Sequence, residues 1–144
     1  MKKIQVTLLL VANLTLVFCV ALTADAQMSP GRRTRNYDPQ TETTIKGTVE
    51  AVNQYHGRRG CCGTHLSLNT GTAVVPVHVG PAAYVKEQHF SFDKGDQIEV
   101  IGSKIQVNGN DAVIAREIRK EGKALVLRNA QGVPSWAGNR RAYN

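Results

Sequence analysis

Between Thr43 and Leu127 the apolar residues follow a two-residue period rather than a helical one, and each run stops at a polar or glycine-bearing turn. That pattern commits the chain to strands, because only a pleated strand sends alternate side chains to opposite faces. Ile45, Thr48, Val49 and Val52 lie in a first strand from about Thr43 to Gln54, followed by a polar loop with His56, Arg58, Arg59, Cys61 and Cys62. His65 to Asn69 and Ala73 to Val79 form the next two strands, joined by a tight turn at Thr70-Gly71. Gly80-Pro81 stops the third strand, and proline is preset for the first helical position, so Ala82 to Gln88 reads as a short helix. Gln97 to Gly102 is a fourth strand whose inward set, Ile98 and Val100, changes parity to Ile105 and Val107, which predicts a bulge at Gly102-Ser103. Asn108-Gly109 is a strong hairpin signal leading into Ala112 to Ile118, and Glu121-Gly122 leads into a last short strand, Ala124 to Leu127.

Three strands, one short helix, two strands and a terminal extra strand is an order that resembles the OB-fold. The expected fold is therefore all-β: a small OB-like Greek-key barrel of five to six strands, with one short helix between the third and fourth. The phrase from Gly95 to Gly102 (Gly-Asp-Gln-Ile-Glu-Val-Ile-Gly) looks like the fourth strand of such barrels. His78-Val79-Gly80-Pro81-Ala82 and the ending Leu127-Arg128-Asn129-Ala130-Gln131-Gly132-Val133-Pro134-Ser135-Trp136 resemble segments of a group of short exported bacterial proteins. More distantly, the chain is similar to the bacterial periplasmic OB-fold stress proteins. This resemblance covers about Ile45 to Trp136 and implies fold and compartment, but no reaction.

Lys2 and Lys3, the apolar run from Val6 to Leu22 and the small residues of Ala24-Asp25-Ala26 have the form of a cleaved secretory leader over residues 1–26. The expected location is periplasmic or secreted, with no transmembrane span after cleavage. Losing Lys2, Lys3 and Asp25 lowers the formal net charge from +7 to +6. Residues 27–42 hold little that is apolar and read as a flexible segment, residues 43–136 as the barrel and residues 137–144 as a flexible tail.

An exported chain places its thiols in an oxidising compartment. Apart from Cys19 in the leader, the cysteines are Cys61 and Cys62, three residues before His65. With Thr70 and Gly71 as a two-residue turn, Asn69 pairs with Thr72, Leu66 with Val75 and Leu68 with Ala73. In that register His65 faces Pro76, and His65 and His78 are diagonal neighbours on the outer face, roughly 5–8 Å apart at Cβ. Cys61 shares their face and Cys62 alternates toward the core. Imidazole and thiolate suit zinc or copper, so Cys61, Cys62, His65, His78 and His56 form a candidate ligand set. Along a straight strand Cys61 and His65 stand about 13 Å apart at roughly 3.3 Å per residue, so the site requires a bend at Gly60 or Gly63. A strained vicinal disulfide and a pair of free structural thiols remain alternatives.

A second reading uses the basic residues. Arg58 and Arg59 in the first loop, with Arg116 and Arg119 near the end of the fifth strand, can hold an anionic polysaccharide or a protein partner. The same charges also read as a solvated edge that discourages strand pairing. Export argues against nucleic acid, as does the lack of aromatics among these charges beyond Tyr55. Tyr84, Phe90, Phe92 and Trp136 read as core and barrel-plug residues. No glycine-rich phosphate cradle, Gly-x-Ser-x-Gly elbow or His-Glu-x-x-His helix occurs, and Asp93, Asp96 and Glu99 lack calcium-loop spacing. The expectation is a binding module rather than an enzyme.

Overall fold

The structure is a computed structural model that describes residues 36–56 and 62–138. The segment expected to be a leader, with its expected cleavage site, and Arg58, Arg59 and Cys61 lie outside the described residues. Six strands follow in order: β1 (Glu42–His56), β2 (Cys62–Asn69), β3 (Val74–Pro81), β4 (Gln97–Val107), β5 (Asn110–Lys120) and β6 (Lys123–Val126). A helix, α1 (Ala82–Glu87), stands between β3 and β4, and a single 3₁₀ turn (Pro39–Thr41) precedes β1. No helix among the described residues is long and apolar enough to cross a membrane.

The long first strand makes the barrel. Its first half, Glu42–Thr48, pairs antiparallel with β4, and its second half, Thr48–His56, pairs with β2. The sheet runs β3-β2-β1-β4-β5-β6 and closes through a parallel β3–β5 contact at Val77–Val113 and His78–Ile114. This strand order and closure are those of an OB-like barrel, and the interior carries the alternation read from the sequence. Val49, Leu66, Leu68, Val77, Val79, Val100, Ile118 and Leu127 are wholly buried. Gly47 stands where β1 passes from one partner strand to the other, and a Cβ there would overlap the backbone carbonyl of Asn69.

The turns obey local chemistry. Asn108 and Gly109 both have positive φ (51° and 80°), as do Glu121 and Gly122 (50° and 76°), the form that two-residue hairpins require. The expected irregularity near Gly102 is present: the β4–β5 register slips between Ile101 and Gly102, which leaves Arg116 as the extra residue of β5. The buried set changes from Ile98 and Val100 to Ser103 across it, but of the two residues expected inward beyond the bulge Ile105 is only half-buried and Val107 is exposed, because β4 ends there at the Asn108-Gly109 turn.

The β2–β3 turn differs from the expectation. Asn69 pairs with Val74 rather than Thr72, so four residues, Thr70 to Ala73, make the turn and the partners of His65 to Asn69 move by two, while a further slip between Thr64 and His65 sets Gly63 opposite Pro81. The cause is side-chain hydrogen bonding of the kind Asn and Thr supply in turns. Gly71 N–H donates to Asn69 Oδ1 at 2.8 Å, Thr70 N–H donates to the Ala73 carbonyl at 2.9 Å, and Ala73 N–H donates to Thr70 Oγ1 at 3.3 Å.

Packed structure also begins earlier than Thr43. Tyr37 is 4% exposed, its hydroxyl donating to the Glu42 carboxylate and its ring lying against Gly132, where a Cβ would collide with it. Asp38 N–H donates to the buried Ser103 hydroxyl at 3.1 Å, which docks the 3₁₀ turn beside β4. Composition hid this, because a single aromatic anchors a stretch that is otherwise polar.

Candidate functional site on the outer face of the first three strands

Alternation fixes the site. Thr64, Leu66 and Leu68 of β2 are buried, as are Val77 and Val79 of β3, so His65 and His78 both turn outward. The two-residue register change preserves that parity and replaces a diagonal relation with a direct one: His65 pairs with His78 across the ladder. Their ring centroids are 4.3 Å apart with the planes at 69°. Tyr55, at the end of β1, stacks on the other side of His65 at 5.8 Å and 21°. Gly63, opposite Tyr55 in the ladder, leaves the space over which the His65 ring lies: a Cβ there would meet His65 Nε2 at 3.6 Å. The outer face thus carries a row of three rings, one from each strand.

Burial lowers the proton affinity of His65, and burial first, then the neighbouring His65 and Arg128, lowers that of His78. Both imidazoles are therefore neutral at neutral pH, the state in which a ring nitrogen can accept a metal or a proton.

Among the described residues, Cys62 does not join them. β2 begins at Cys62 rather than His65, so Cys62 is a strand residue, half-buried, in no disulfide among the described residues and paired with His56 across the end of the ladder. Alternation gives this rung the parity of Thr64, opposite to that of His65. Among the described residues no group of three His, Cys, Asp or Glu side chains gathers around a point. Cys61 lies outside the described residues.

The arginines of the second reading are held by carboxylates. Arg116 bonds Glu42 and approaches Glu117 at 3.9 Å, and Arg119 bonds Glu117 at 2.7 Å and Glu99 at 3.1 Å. Lys46 meets Glu99 at 2.9 Å, which gives an alternating run of three cations and three carboxylates rather than a basic face. Arg58 and Arg59 lie outside the described residues.

Arg128, the charged residue of the C-terminal phrase, is 8% exposed. Its Nη1 donates to the Val79 carbonyl of β3 at 3.2 Å and to the Ala115 carbonyl of β5. It therefore continues the closure beyond the two rungs of the β3–β5 ladder. Trp136 lies over Gly80 and beside Tyr84, whose hydroxyl donates to the Val126 carbonyl at 3.0 Å. The two phrases singled out in the sequence, around Gly80 and from Leu127 to Trp136, are thus the two sides of one contact. Burial lowers the Arg128 pKa to about 10.

The strand order and the β3–β5 closure define a small all-β module of OB type. Residues 41–125 match the MamS/MamX magnetosome protein family, and the chain belongs to it. No curated protein matches the chain. Among solved structures it is similar to the N-terminal domain of PriB from Thermoanaerobacter tencongensis, described as dimeric, at 15% identity and a TM-score of 0.44, covering 58% of this chain and 99% of that one. It is also similar to OBody AM1L10 bound to hen egg-white lysozyme, at 15% identity and a TM-score of 0.37, covering 65% and 88%.

Proposed function

We propose that the protein is an exported, non-enzymatic binding module that holds a transition metal, zinc or copper, at the His65–His78 pair. The observation that carries this reading is the direct cross-strand placement of two half-buried, neutral imidazoles with ring centroids 4.3 Å apart. Two neutral nitrogens on a rigid ladder suit borderline divalent ions and copper. Water completes the coordination, or a donor from the adjoining segment with Cys61 and His56 does. A side chain at position 63 would pack against His65 Nε2, and Gly63 has none. The barrel contributes rigidity, since both ligands stand on paired strands rather than on loops.

The test is calorimetric titration of the purified protein with zinc and with copper, beside His65→Ala, His78→Ala and the double variant. Saturable binding near one equivalent that falls at least tenfold in each single variant supports the reading. Absence of binding, or binding unchanged in the double variant, removes it. Intact mass then reports whether Cys61 and Cys62 are thiols or a disulfide in the protein so tested.

A further inference from the structure

The β3–β5 seam is stitched unevenly. Among the described residues the ladder joins these strands only at Val77–Val113 and His78–Ile114, and beyond it toward α1 the Arg128 side chain bridges Val79 and Ala115. In the other direction the strands part. Val74 to Pro76 and Asn110 to Ala112 face each other with no rung between them, around a cavity of about 350 Å³ at the end of the barrel away from α1. The α1 end is filled by buried Tyr84 and Val85.

We infer that this open seam is a docking site for an extended, acidic segment of a partner protein. Three features select that occupant. First, Val74, Val75, Asp111 and Ala112 carry backbone groups outside the β3–β5 ladder, Pro76 between them having no N–H, and an extended peptide satisfies such groups better than a compact small molecule does. Second, the floor is apolar, formed by Ile45, Val75 and Val113, so alternate side chains of an added strand have a surface to bury against. Third, the rim cations are Lys46 and Lys104, with side chains 76% and 56% exposed. Each meets a carboxylate, Glu99 and Asp111 respectively, but exposed pairs of this kind are weak and an incoming Asp or Glu can take over either ammonium. The formal charge of +6 that residues 27–144 carry favours an acidic partner at long range. A neighbouring cavity of about 430 Å³ shares Lys104 and Asp111 and runs on to Gln40 and Thr41.

The site is tested by selecting displayed random dodecapeptides on the purified protein and titrating the strongest into isotope-labelled protein. The enriched peptides are expected to alternate apolar residues with Asp or Glu and to shift the amides of Val74, Val75, Asp111 and Ala112. N-methylating alternate amides of the peptide, filling the cavity with Thr72→Trp, or reversing the rim with Lys104→Glu each weakens binding at least tenfold. The His65→Ala/His78→Ala variant leaves it unchanged, which separates this site from the metal reading. Failure to enrich any sequence overturns the inference. So do amide shifts confined to the His65 face, and so does equal affinity for the N-methylated peptide.

Discussion

The Arg128 guanidinium carbon lies 5.0 Å from the centroid of the Trp136 ring, and the two side chains together fasten the C-terminal segment over the barrel seam. A buried cation without a carboxylate partner is costly unless its donors are used. Here the Val79 and Ala115 carbonyls and the ring face share that task, although Nε of Arg128 has no hydrogen-bond partner among the described residues.

Arg128→Ala strands both carbonyls and opens a void at the seam. The expected loss is about 2–4 kcal/mol in urea unfolding, with Arg128→Lys intermediate because one ammonium cannot reproduce the planar fork. A loss below about 1 kcal/mol would show that the seam closes without the guanidinium.

Gly80→Ala puts a methyl 2.5 Å from Trp136 Cη2 at a backbone φ of 154°, so the indole has to move. Destabilisation of about 1–3 kcal/mol is expected. Because Trp136 is the single tryptophan, its emission should shift to the red as the ring gains solvent. Unchanged emission would place the indole elsewhere.

Gly47→Ala meets the Asn69 backbone, which cannot swing away as a side chain can. It should cost about 2–4 kcal/mol, whereas Gly95→Ala, with φ of 97° but open space around it, should cost only about 1 kcal/mol from backbone strain. Paired thermal melts distinguish the two, and equal costs would argue against the close β1 crossing.

Acid should weaken the metal-free protein in two steps. His65 and His78 have folded-state pKa values below the ordinary 6.5, so the unfolded chain takes up protons first. The stability they confer is full above pH 6.5 and is lost as pH falls through their folded values. A second loss follows at lower pH. Burial works to raise Asp96 and Glu42, but bonds from Lys120 and Arg116 prevail and hold both carboxyls below their ordinary values. Urea midpoints measured with a chelator across pH 3–8 should show both losses. Only the upper one should vanish in His65→Gln/His78→Gln, and its persistence there would assign it to other groups.

Much of this molecule follows from neighbouring residues alone. Alternation and turn chemistry are local, so strand order, the helix after Pro81, the Asn108-Gly109 hairpin and the parity change at Gly102 are legible in the chain. Parity also survives an error of two in register, which is why His65 and His78 share a face in either pairing. Contacts between distant segments are another matter. The hydrogen bonds of Asn69 and Thr70 chose the longer turn and set the imidazoles directly opposite. Barrel closure buried Arg128, joined the Gly80 and Trp136 phrases and drew Glu42 to Arg116 across the sheet. Packing of Tyr37 against Gly132 ordered residues whose composition reads as a tail. The code for a strand is carried within a few residues, whereas the partner of a charge or a ring is set by which surfaces the closed barrel brings within a few ångströms.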